Sequence, residues 1–379
     1  MPEYSLKKKI LFSLLPALVA FFLALLLGEL YARLFSQYGY VTPEILKNRS
    51  LQYEPSIFSR YVFPRKELNP SGYNNLKYHI NGKGYRGHDF EVSKPAGTIR
   101  MMFYGGSAVF DQAVGGDNDW PHRVERILRG NGFPNLEVIN AGVPGSDTFD
   151  SFGRFFSEGH LFQPDYVVLY NAWNDFEYFT KKDPILRQFQ PYLAGMDPRV
   201  NYQNRPDKFF CEHSQLYVRL RSRYYNWKFR IGPEGSQPQG ELSEQITDQA
   251  LRQYQINVEM FVELAKNIGA TPILMIQARL VSPDNTEAEK KRIKYQYALL
   301  THQGLVKAFS ATDQILREVA QNQGAFLIDA NQELGAKSDL FIDHIHLNDL
   351  GSRALAELAA AELEKILKEK SRGQEPEEK

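Results

Sequence analysis

The sequence predicts a three-layer α/β/α fold with a roughly five-stranded parallel sheet, preceded by one N-terminal transmembrane helix. Three observations lead there. Beyond Thr98, five short apolar runs, at 99–104, 136–140, 166–170, 272–276 and 325–328, alternate with helical stretches, the pattern of a parallel sheet covered on both faces. Ahead of the fourth run, and again near the end of the chain, apolar residues recur every three or four positions. Residues 10–28, finally, are nineteen consecutive uncharged residues; at roughly 1.5 Å per residue they nearly match a hydrocarbon core of about 30 Å.

The N-terminal segment sets orientation. Lys7, Lys8 and Lys9 precede the apolar run, and positive residues stay cytoplasmic, so everything after Gly28 is expected on the outer side, periplasmic or extracellular. A cleaved signal peptide competes with this, but the small-x-small site Ala17-Leu18-Val19-Ala20 is followed by apolar residues as far as Leu27. An uncleaved signal anchor over 1–30 is therefore expected, a membrane contact made through 10–28. Pro16 and Glu29, inside the span and at its end, do not exclude it.

Residues 31–97 are rich in Tyr, Pro and Asn without a sustained period, and read as a stalk or an irregular layer over the domain that follows. That domain is expected to occupy 98–367. Within it, Ala250, Tyr254, Val258, Phe261, Ala265 and Ile268 form one helix face stopped by Gly269; Leu355, Leu358, Ala359, Leu363, Ile366 and Leu367 form another. The polar residues 368–379 are expected to be disordered. The segment 176–238 is far longer than an ordinary connection and carries many aromatic residues, Tyr178, Phe179, Phe209, Phe210, Tyr224 and Trp227 among them. These residues read as the insertion's own small core, with a lid or a sugar-stacking surface as the alternative.

Composition narrows function. With 45 basic and 45 acidic residues the net charge is zero, which gives no electrostatic case for nucleic acid. The lone Cys211 leaves no intrachain disulfide to expect. His344 and His346 lack further spaced ligands, so no metal is expected. Gly105, Gly106, Gly115 and Gly116 lack the spacing of a phosphate loop or dinucleotide fingerprint, and no cofactor is expected either.

What remains points to acyl chemistry. Gly105-Gly106-Ser107 directly follows the first apolar run, and Asp343-His344-Ile345-His346 lies far downstream, ahead of the last helical pattern. A serine hydroxyl is a weak nucleophile until a histidine takes its proton, and that histidine needs a carboxylate to fix its tautomer. Asp343 and His346 offer both. His344 is a rival base, but it is the immediate neighbour of Asp343, and adjacent side chains point apart in most backbones. An α/β-hydrolase elbow, Gly-x-Ser-x-Gly, does not fit, because Val109 stands where the second glycine belongs. Ser107 also has a plainer reading as a helix cap, and Asn174-Asp175 as an ordinary turn.

Over residues 98–367 the order of motifs resembles the SGNH (GDSL-type) hydrolase superfamily. Its Gly-Asp-Ser block appears as Gly105-Gly106-Ser107, its glycine block as Asn140-Ala141-Gly142-Val143-Pro144-Gly145, its Gly-x-Asn-Asp block as Ala172-Trp173-Asn174-Asp175, and its Asp-x-x-His block as Asp343 to His346. The resemblance implies a flavodoxin-like sheet, a Ser107, His346, Asp343 triad, and an oxyanion hole made by the backbone N–H groups of Ser107 and Gly145 with the Asn174 amide. Two positions depart from the pattern: Gly106 replaces an aspartate and Ala172 a glycine. Asn348 or Asp349 is expected to cap the last helix, and Gln277 and Arg279 to reach the pocket. The function expected is that of an outward-facing serine esterase or O-acyltransferase taking an acylated small molecule, glycan or lipid, with O-acetyl groups of a cell-surface glycan as one candidate. The alternative is a catalytically idle, anchored glycan-binding scaffold.

Overall fold

Five parallel strands form the central sheet: β1 (Ile99–Gly105), β2 (Leu136–Asn140), β3 (Tyr166–Tyr170), β4 (Thr271–Ile276) and β5 (Phe326–Asp329), in the order β2-β1-β3-β4-β5. All four pairings are parallel, with Met101 opposite Val138 on one side and Tyr166 on the other. The computed structural model describes residues 6–35, 53–59, 61–70, 76–181, 204–228 and 240–372. Each expected apolar run is a strand, shifted by at most one residue at an end.

The continuous apolar character of these strands follows from burial on both faces. Met102, Tyr104, Val167 and Leu169 face a layer containing Asp248–Asn267 and His302–Gln323, whereas Met101, Phe103, Val168 and Tyr170 face Trp120–Gly130 and Asp349–Arg372. Helix Asp248–Asn267 ends where expected, with Gly269 at φ +80° just beyond it. The strand order reverses between β1 and β3, so the loops leaving their carboxyl ends diverge and leave a crevice, the usual ligand position in such sheets. Ser107 follows β1 and Asn174 follows β3.

Two expectations need correction. The last helix continues to Arg372, past the expected boundary at Leu367, because Glu364–Lys368 and Glu362–Lys365 pairs and a Ser371 to Leu367 carbonyl bond carry it onward; the remainder of the tail, 373–379, lies outside the described residues. The aromatic segment after β3 is also not one unit. Phe176 and Phe179 pack into the main core against Phe309 and Tyr254. Of the other named aromatics, those in 204–228 belong elsewhere.

The chain divides into two units, Leu51–Leu193 with Gln237–Lys379, and Met1–Ser50 with Ala194–Ser236. In the first, the expected irregular layer packs on the turn after Ser107: Phe63, Tyr78 and Ile80 form a small core with Phe110 and Val143. Arg86, fully buried, donates from its guanidinium to the carbonyls of Phe110, Asp111, Val114 and Gly116 and pairs with Asp119. The second unit contains a helix over Leu6–Leu34, continuous through Pro16, whose stretch Leu14–Leu34 is long and apolar enough to cross a membrane. Helices Arg205–His213 and Gln215–Lys228 belong to the same unit.

Candidate active site

Ser107 opens a single helical turn, Ser107–Phe110, at the end of β1, so its N–H is among the amides that a helix start leaves without an intrahelical partner. Its Oγ lies 2.7 Å from His346 Nε2, and His346 Nδ1 lies 2.7 Å from Asp343 Oδ2. The three residues form one continuous chain of hydrogen bonds, across 239 positions of sequence between serine and histidine.

The loop carrying the histidine is built to hold it. Asp343 Oδ1 accepts the backbone N–H groups of Ile345 and His346 at 3.0 and 2.9 Å, which leaves Oδ2 for the imidazole. Ile342 N–H donates to the His346 carbonyl at 2.8 Å and closes the loop. Burial acts to raise the Asp343 pKa, but the hydrogen bond from His346 and the neighbouring histidine charges hold it well below the usual carboxylate range. Asn348 caps the last helix, its Oδ1 accepting from Gly351 N–H at 2.9 Å, whereas Asp349 pairs with Arg123 and Arg353.

His344 makes no hydrogen bond to this chain, although its Nδ1 is 3.7 Å from Asp343 Oδ1. Its ring is buried against the Trp173 indole with centroids 3.9 Å apart, and burial takes its pKa down to about 3. The Ser107 hydroxyl stands within hydrogen-bond distance of His346, whereas the His344 ring is enclosed.

Asn174 and Gly145 converge through one carbonyl. Ser146 O accepts both Asn174 Nδ2 and Asn171 Nδ2 at 2.8 Å, tying the end of β3 to the turn that contains Gly145. That turn closes with Ser146 N–H on the Val143 carbonyl at 3.0 Å and places Gly145 at φ +86°, a conformation that favours glycine. Ala172, where the pattern has glycine, has a negative φ of −154°, outside the left-handed region that favours glycine. Asp175 is structural: it accepts from Thr148 N–H and Oγ1 and so anchors helix Thr148–Ser157.

Gln277 and Arg279 do not reach the pocket as expected. Both are buried, Gln277 Oε1 accepting from Trp173 N–H at 3.1 Å and Arg279 held by Asp313 at 2.6 Å over the Phe309 ring. They follow a central strand, where surrounding layers absorb polar groups before they can reach solvent. Gln277 supports the backbone beside Asn174 instead.

Sequence reasoning missed Gln112, whose Nε2 lies 3.1 Å from the same His346 nitrogen that meets Ser107. An amide N–H only donates, so His346 Nε2 is the acceptor and the imidazole proton sits on His346 Nδ1, facing Asp343. No motif marks Gln112; its signal is only its place five residues beyond Ser107, after one helical turn. Lys294 Nζ, 4.0 Å from Asp343 Oδ2, and Tyr297 Oη, 3.3 Å from Asn174 Oδ1, are likewise brought in by folding alone.

Ligand atoms of His88, His122 and Glu125 lie within 4.8 Å of one another and could meet a cation, but none belongs to the serine chain. Glu125 is engaged by Arg129 at 2.8 Å and His122 Nδ1 by Asp119 at 2.8 Å.

No protein-family model matches the sequence, and no curated protein matches it. Solved structures similar to the chain include an acetyl xylan esterase, AlAXEase, at 15% identity and TM-score 0.41, spanning 69% of this chain and 98% of that one. A lipase/acylhydrolase from Enterococcus faecalis is similar at 16% identity and TM-score 0.42, over 71% and 97% of the two chains. A G-D-S-L family protein from Desulfitobacterium hafniense is similar at 11% identity and TM-score 0.40, over 70% and 99%.

Proposed function

We propose that the chain is a membrane-anchored, outward-facing serine esterase or O-acyltransferase of the SGNH type, with Ser107 as nucleophile, His346 as general base and Asp343 as its orienting carboxylate. The observation that carries this reading is the hydrogen-bond chain Ser107 Oγ, His346 Nε2, His346 Nδ1, Asp343 Oδ2, with 2.7 Å at each contact between side chains.

Ser107 Oγ attacks the acyl carbonyl carbon while its proton passes to His346 Nε2, and the carbonyl electron pair moves to oxygen. The N–H groups of Ser107 and Gly145 and the Asn174 amide receive that oxyanion; one such preorganised donor is worth about 3 kcal/mol. Collapse expels the leaving alkoxide, which takes the proton from His346 and leaves an acyl-serine. Water, or a sugar hydroxyl in the transfer reaction, then gives its proton to His346 and attacks the acyl carbon; collapse breaks the bond to Ser107 Oγ, which takes that proton back from His346, and the acid or the new ester leaves. Ser107 and His346 are 7% and 8% exposed, which favours a small acyl group. Acetyl esters of a cell-surface glycan combine a small acyl group with the outward side on which Lys7 to Lys9 would place the domain.

The test is covalent labelling of the full chain by a serine-directed phosphonate, with turnover of an aryl acetate measured in parallel. Labelling and turnover are both expected and both should vanish in Ser107→Ala. Undiminished turnover in that variant excludes the assignment; no labelling of the parent favours an idle scaffold.

A further inference from the structure

We infer that the helix pair Arg205–His213 and Gln215–Lys228 lies in the plane of the membrane, within a headgroup layer of anionic phospholipid. This rests on the reading of the N-terminal helix as an anchor.

The junction of the pair is clamped at the level where the apolar run 10–28 ends. Glu29 Oε2 accepts Leu216 N–H at 2.9 Å and the Ser214 hydroxyl at 2.8 Å, while Oε1 accepts Gln215 N–H at 3.0 Å and Arg33 Nε at 2.7 Å. Arg33 in turn donates to the His213 carbonyl at 3.0 Å. One carboxylate thus satisfies the opening amides of the second helix, and its arginine partner closes the first. Gly28 brings the backbones close: a Cβ there would meet Leu216 Cδ2 at 3.0 Å.

From that contact an apolar stripe runs along the second helix. Leu216, Leu220, Tyr224 and Trp227 recur at helical spacing, and the last three are 53%, 50% and 76% exposed; Phe209 and Phe210 on the other helix are 56% and 48% exposed. With the anchor these helices bound an apolar groove of about 440 Å³ lined by Phe22, Leu25, Leu26, Phe210, Leu216 and Leu220. Exposed large apolar residues in such number on one patch mark an interaction surface. Here the stripe is continuous with a helix face meant for lipid.

Charge selects the lipid. Residues 205–228 contain six basic side chains (Arg205, Lys208, Arg219, Arg221, Arg223, Lys228) against two acidic ones, Asp207 and Glu212, for a net charge of 6 − 2 = +4. Arg221 grips Asp207 at 2.7 and 2.8 Å and holds the two helices together. Basic residues beside an apolar stripe with tyrosine and tryptophan are what an in-plane amphipathic element on anionic headgroups requires.

Trp227 allows a direct test, because Trp120 and Trp173 are buried at 0% and 4% exposure. The full chain is reconstituted into phosphatidylcholine vesicles with and without phosphatidylglycerol, carrying bromine either near the headgroup or near the chain ends, and emission is compared with that of Trp227→Phe. The expected result is quenching by headgroup-proximal bromine that the variant loses, and that weakens without phosphatidylglycerol or in high salt. Equal quenching of parent and variant by every lipid, in a chain that still floats with vesicles, overturns the placement while leaving the anchor. Quenching of Trp227 only by chain-end bromine also overturns it. A chain that fails to float after a high-salt wash overturns the anchor reading itself.

Discussion

Gly106 and Asn174 approach so closely that a Cβ on Gly106 would stand 2.2 Å from Asn174 Nδ2 and 2.8 Å from the Ser146 carbonyl oxygen. The absence of a side chain on Gly106, beside Ser107, therefore leaves the space that the Asn174 amide occupies. Any side chain at 106 must displace that amide or the turn holding Gly145. Gly106→Ala is expected to lower the acylation rate by about 10² to 10³, the scale of losing one oxyanion donor, and also to lower the melting temperature, because a backbone carbonyl must give way. Pre-steady-state acylation with an activated ester measures the first, calorimetry the second. Gly106→Ala acylating at the parent rate would show that Asn174 does not act on the oxyanion.

A related comparison separates roles within the site. Asn174→Ala is expected to slow acylation by about 10² to 10³ with modest change in substrate binding. Asp343→Asn should cost more, about 10⁴, because an amide cannot hold the proton on Nδ1. His346→Ala should remove the base, whereas His344→Ala should leave acylation nearly intact. Severe loss at His344 with mild loss at His346, measured with one ester, would reverse the choice of base.

How much of this was legible beforehand varies with the physical origin of each part. The strands were readable because burial on both faces makes each a continuous apolar run bounded by polar loops, as at 99–105 and 166–170. Ser107, Asp343 and His346, the proposed triad, were readable as candidates because the chemistry asks for their types and the 343 to 346 spacing lies within one loop. Gln112 and Arg86 were not. Each acts through contacts between segments distant in sequence, Arg86 on carbonyls some 24 to 30 residues away and Gln112 on a histidine 234 residues away. Gln277 and Arg279 were misplaced because position at a strand's end predicts proximity to the crevice but not whether neighbouring layers cover the side chain.

Buried His344 gives a signed pH effect. Its pKa falls from 6.5 unfolded to about 3 folded, burial being the main cause. Between those values the unfolded chain binds the extra proton and the folded chain does not, so stability rises with pH across the window and is lost on acidification from 6.5 towards 3. At about 1.4 kcal/mol per pKa unit the loss amounts to several kcal/mol. Asp111 works in the opposite sense: burial raises its pKa to about 6, so the folded chain binds more protons between 3.8 and 6. The diagnostic quantity is therefore a difference. Denaturant unfolding of His344→Phe against the parent should show the variant losing less stability between pH 6.5 and 4; parallel curves would mean that His344 is not held neutral.

The orientation reading has an independent test. Lys7, Lys8 and Lys9 stand before the apolar run, while the stretch Leu14–Leu34 is long and apolar enough to cross a membrane. If the positive end stays inside, a phosphatase reporter fused after Lys379 is expected to be active, and a cytoplasm-dependent fluorescent reporter at the same point dark. Replacing the three lysines by glutamate removes the bias that fixes the first helix, and a share of the population should then invert, seen as reduced phosphatase and new fluorescence. A bright cytoplasmic reporter on the parent chain would place the Ser107 domain inside and remove outer-surface glycan from its candidate substrates. A shortened chain recovered in the soluble fraction would instead mean cleavage after the run, leaving the domain outside but unanchored.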